Sequence, residues 1–134
     1  MSHYVEDDRM EIMPFQRDDG VWVWIVSRRF TFVFGDDLNR QVFTVPAGFE
    51  TDLGSIPAWG RWMISPSDPG CAQAYVLHDY LNTITAKRRP GFGVLSSVAA
   101  AAVLYDAMRC NYVPVWKATT IHTAVLAGIA SGER

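Results

Sequence analysis

Residues 29–34 read RFTFVF, which puts Phe30, Phe32 and Phe34 on one side of an extended chain and Arg29, Thr31 and Val33 on the other. A strand repeats every two residues, so three phenylalanines in step make one face that must be covered. That stretch rules out an all-helical chain and asks for a second layer. VWVWIV (21–26) before it and RQVFTV (40–45) after it are also β-branched and aromatic, and GDDLN (35–39) is turn chemistry. Together they predict a small antiparallel meander. In the first run Trp22 and Trp24 share a face opposite Val21, Val23 and Ile25. Both faces are apolar, so this strand is expected between two layers or against another chain.

The second half changes period. CAQAYVLHDYLN (71–82) follows SPSDPG, whose Ser and Asp suit helix caps. VLSSVAAAAVLYDAMRC (94–110) holds no Gly or Pro, and VWKATTIHTAVLAGIAS (115–131) starts after Pro114. Strands followed by helices predict an α+β fold, an N-terminal antiparallel β meander packed on about three C-terminal α-helices. The 134 residues suit a single domain over 1–134, mainly strands and loop in 1–57 and mainly helices in 58–134.

Charge and cysteines narrow the function. A formal net charge of −2 offers no basic footprint, so no nucleic-acid partner is expected. Cys71 and Cys110 are far apart with no CxxC pair, which excludes a zinc ribbon and favours reduced thiols over a disulfide. MSHYVEDDRM is acidic and polar, so no signal peptide is expected, and His3 is expected in a disordered tail. No apolar run approaches the roughly 18–20 residues of a transmembrane segment. The expected place of synthesis is the cytoplasm.

The chemistry, if any, centres on His78-Asp79. On a helix the two side chains project about 100° apart, so they cannot serve one neighbour. An imidazole there suits a general base or a metal ligand. The structural alternative is a buried His78 bonded to a backbone carbonyl, with Asp79 on the surface. In the loop PAGFETDLGSIPAWG (46–60), Asp52 and Ser55 either approach His78 or make turns and caps. A Ser55–His78–Asp triad lacks a GxSxG elbow. His122 reads as a core or interface histidine. Trp59 and Trp62, three apart, add to an aromatic set suited to a core or to a partner surface.

VPAGFETDLGSIP, then AYVLHDYL, then VLYDAM, then VPVWKATTIHTAV together resemble a family of phage and prophage proteins, domain-of-unknown-function family 1353, over about residues 40–132. The resemblance implies a phage or prophage origin, among structural and lysis modules. The helical HDYL also resembles the core of small bacterial phospholipases A2. That likeness implies His78 as the base, Asp79 as a Ca²⁺ ligand and loop 46–55 as a source of carbonyl ligands. The phospholipase pattern places its orienting Asp at Ala101, and Asp106, five positions on, is turned about 140° away.

Two functions follow as expectations. One is a virion-associated or morphogenesis protein, a structural or binding module on a phospholipase-like scaffold with an eroded His-Asp site (His78, Asp79, Asp52, Ser55). Its partners are other phage structural proteins or itself, and it passes from the infected host's cytoplasm to the virion. The other is a small Ca-dependent hydrolase acting on membrane lipid during entry or lysis.

Overall fold

The structure, a computed structural model, describes residues 2–5, 10–35, 38, 40–51, 69–86 and 97–130. Six strands come first: β1 (His3–Tyr4), β2 (Glu11–Gln16), β3 (Trp22–Arg28), β4 (Phe30–Phe34), β5 (Gln41–Val45) and β6 (Glu50–Thr51). Three helices follow: α1 (Pro69–Ala86), α2 (Ser97–Cys110) and α3 (Val115–Ala130). The fold is α+β.

The strands form two three-stranded antiparallel sheets, in the orders β1-β4-β5 and β2-β3-β6, rather than one meander. Only Arg29 separates β3 from β4. Even the tightest hairpin needs two loop residues, so consecutive strands this close cannot pair and the chain passes from one sheet to the other. The aromatic face lands as expected. Phe30 and Phe32 are fully buried and share a core with Val26, Val45, Tyr75, Leu77, Leu104 and Met108. In their register, Phe32 sits opposite both Tyr4 of β1 and Phe43 of β5.

His3 belongs to β1 rather than to a disordered tail, because its neighbour Tyr4 packs on the aromatic face. The Tyr4 ring lies 4.8 Å from that of Phe32. Two polar contacts hold the segment down. Gly35 N–H donates to Ser2 Oγ at 2.9 Å, and the Cys110 thiol donates to the Ser2 carbonyl at 3.1 Å. Burial pushes the Tyr4 phenol far above its usual range, with Cys110 adding to the push and Asn111 opposing it.

Helix α2 packs against both α1 and α3 and touches β1 and β4. Asn111, just past its end, donates to the Gly70 carbonyl and to Gln73 Oε1 near the start of α1. The end of one helix meeting the start of the other makes them an antiparallel pair. Ala100, Ala101 and Ala107 are fully buried small residues that permit close approach.

The exit from α2 is a Schellman turn. Val113 N–H bonds back to Met108 O, and Tyr112 N–H to Arg109 O. This places Tyr112 at φ 62°, a left-handed position that glycine occupies at lowest cost. Its side chain is almost wholly exposed, so nothing in the core compensates. Tyr112→Gly is therefore expected to raise the unfolding free energy by about 1 kcal/mol, read from the urea midpoint.

Candidate functional site

Helix α1 sets the site. Its residues 71–79 are buried without interruption, which makes it a core helix rather than an amphipathic surface one. His78 and Asp79 are consequently only 4% and 8% exposed. Asp79 does not lie on the surface. Burial of a carboxylate needs a compensating donor, and β6 supplies one. Thr51 Oγ1 donates to Asp79 Oδ2 at 2.9 Å, with Thr51 itself fully buried. One turn on, Thr83 Oγ1 donates back to the Asp79 carbonyl at 2.9 Å, the usual i to i−4 bond of a helical threonine.

The turn before β6 explains why Thr51 arrives there. Gly48 takes φ 91° and donates to Val26 O, while Val26 N–H donates to Phe49 O. Those bonds tie residues 48–49 to β3, and the Phe49 ring meets Tyr80 edge-on at 5.3 Å. Around His78, Tyr75 lies at a ring distance of 5.7 Å.

Ala101, where the phospholipase pattern has its orienting carboxylate, is fully buried, and Asp106 is half-buried further along α2. His122 packs on Tyr105 at 5.5 Å. Among the described residues no three His, Cys, Asp or Glu side chains are grouped to hold a metal. Asp52, Ser55, Trp59 and Trp62 lie outside the described residues.

A calcium ion wants six to eight oxygen ligands. Of the loop carbonyls proposed to supply them, Pro46 O accepts from Phe49 N–H and Phe49 O from Val26 N–H. The carboxylate of Asp79 accepts from Thr51. Thr51 is the partner that sequence reasoning missed, although it stands in the quoted motif FETDLGS. A Thr beside an Asp reads as turn chemistry until the strand that aims it is known.

The sheet edge away from this pair looks different. β2 and β3 form a hairpin closed by a three-residue loop. Arg17 N–H donates to Val21 O, Gly20 N–H to Arg17 O, and Gly20 sits at φ 83°. Asp19 Oδ1 accepts from Val21 N–H, which holds its carboxyl below the usual range with help from Arg17. The turn is well braced. Beside it stand exposed Met13, Phe15, Val21 and Trp22, with Trp22 63% exposed.

Both cysteines are free. Burial, with Asp106 adding to it, pushes the Cys110 thiol from 9.0 up to about 11. The folded chain keeps this proton where the unfolded chain has released it. Its contribution to stability is complete below about pH 9 and is lost as pH rises through about 11. Urea midpoints are expected to fall across that window, and Cys110→Ser to flatten that part of the profile.

A model of the family described as Protein of unknown function (DUF1353) matches residues 24–125. No curated protein and no solved structure matches the chain.

Proposed function

The chain belongs to the DUF1353 family, and from its own geometry we propose that it is a binding module of a phage or prophage particle, docking to other structural proteins through the β2–β3 hairpin. The observation that carries this reading is the exposure of Met13, Phe15 and Val21 on one face of a braced hairpin end and of Trp22 on its other face. Exposed apolar side chains on both faces of a hairpin end are unfavourable in water, and aromatic anchors of this kind dominate protein interfaces. The phage setting rests on the motif resemblance. Under this reading His78 and Asp79 serve the scaffold: Asp79 fastens β6 to α1, and His78 fills the core beside Tyr75. The protein is made in the host cytoplasm and then joins the particle. No helix among the described residues is long and apolar enough to cross a membrane.

Two measurements test it. Particles raised from a host carrying Phe15→Ser/Trp22→Ser are expected to hold at least about tenfold less of the protein by mass spectrometry, with its circular dichroism unchanged. Phosphatidylcholine vesicles incubated with the protein are expected to show no hydrolysis that depends on both Ca²⁺ and His78. Calcium-dependent turnover abolished by His78→Ala would replace the binding module with a phospholipase. Unchanged incorporation of the double variant would remove the hairpin from the interface.

A further inference from the structure

We propose that β5 is an open sheet edge that pairs antiparallel with β5 of a second copy of this chain, in the register centred on Phe43. The inference stands independently of the hairpin reading. A sheet edge presents a row of unpaired backbone groups, and proteins that stay monomeric blunt such edges with short strands, prolines or charges. Among the described residues, the other three sheet edges are treated that way. β1 and β6 are two residues long, and β2 carries Glu11 and Pro14. β5 reads QVFTV: five residues with no charge and no proline.

Its inner side is paired residue by residue with β4, from Phe30 opposite Val45 to Phe34 opposite Gln41. Among the described residues no backbone hydrogen bond reaches its outer side. Val42 is 58% exposed and Thr44 is exposed too, while Phe43 is half-buried on the core side. Among the described residues the edge is therefore open, and it carries no charge.

The sequence of β5 also suits itself. In an antiparallel pair, outward-pointing residues must meet outward-pointing residues, so a two-fold axis has to pass through a residue position and not between two. Centring on Phe43 sets Phe43 against Phe43, Val42 against Thr44 and Gln41 against Val45, and uses all five residues. Arg40 then faces Pro46, so no like charges oppose each other. Centring on Thr44 would bring Pro46 into the ladder, where it has no N–H to give. The two-fold closure leaves no further β5 edge exposed, giving a dimer and not a filament.

The test uses the full chain and sedimentation equilibrium. The wild type is expected to rise with concentration from 15.0 kDa to twice that mass. V42K/T44K places Lys opposite Lys twice in this register, and is expected to raise the dimer dissociation constant at least about tenfold. V42K/T44E places Lys opposite Glu twice, and is expected to return it to within about threefold of wild type. Both positions are exposed, and circular dichroism verifies that each variant is folded. A wild type that stays at the monomer mass, a dimer indifferent to V42K/T44K, or equal loss in both double variants overturns the proposal. Phe15→Ser/Trp22→Ser leaves this dimer intact, so failure of the hairpin reading and failure of this one are told apart.

Discussion

Phe32→Ala lowers the unfolding free energy by about 3–5 kcal/mol, the usual cost of emptying a fully buried aromatic position. Phe32 is completely buried in the middle strand of its sheet, between Tyr4 on one side and Phe43 on the other. The loss is the transfer free energy of the ring plus that of the cavity it leaves, and the rigid β4 backbone limits collapse. A second consequence distinguishes this residue from other core positions. The Tyr4 ring packs at a tilt on Phe32, and the segment carrying Tyr4 meets Cys110 through the Ser2 carbonyl. With the ring gone, β1 loses its main anchor and the half-buried Cys110 thiol becomes more accessible. Tryptophan-fluorescence urea curves measure the first effect. Alkylation of Cys110 under native conditions, faster in Phe32→Ala than in Leu104→Ala, measures the second. Equal rates in the two variants would show that β1 is held by something other than this ring contact.

The same face shows what the sequence makes legible. RFTFVF could be read as a strand with one buried side because Phe recurs at the strand period, and the three helices declared themselves by length and by the absence of Gly and Pro within 94–110. β2 escaped because EIMPFQ alternates poorly and carries Pro14, which suits an edge but disguises a strand. The division into two sheets turned on Arg29 alone, a one-residue link whose meaning depends on both neighbours being strands. β1 was hidden because the acidic residues following Tyr4 look like a tail, while its anchor lies almost thirty positions away on β4.

The His-Asp pair was easier to notice than to interpret. Its helical setting was visible, but a helix period cannot show that residues 71–79 are buried on every side. That outcome depends on β6, α2 and the sheets closing round α1, all long-range facts. The structural alternative, which set Asp79 on the surface, failed on that point for that reason. An Asp within an apolar run is placed outside by default, unless a donor distant in sequence is brought to it. Thr51 is that donor, 28 positions earlier in the chain. Nothing local links the two residues.

This dependence makes the pair the second large expected effect. Asp79→Ala costs about 3 kcal/mol, because it removes a buried hydrogen bond and leaves the Thr51 hydroxyl buried without its acceptor. Thr51→Val costs about 1–3 kcal/mol, since the buried carboxylate then loses a donor. If the two residues act mainly on each other, Thr51→Val/Asp79→Ala costs less than the sum of the single changes, by a coupling energy of about 1–2 kcal/mol. Urea denaturation of the four proteins closes the cycle. A coupling near zero would mean that Asp79 is held chiefly by other groups. The cycle also bears on function. A carboxylate kept for catalysis is often held at a cost to the fold, so its removal can stabilise the chain while abolishing turnover. A carboxylate kept to fasten β6 onto α1 does the reverse: its loss loosens the chain and takes no activity with it. Stabilisation by Asp79→Asn or Asp79→Leu alone would therefore argue for a working site in the core, whereas destabilisation that vanishes when Thr51 is also replaced assigns the pair to the scaffold that presents the hairpin.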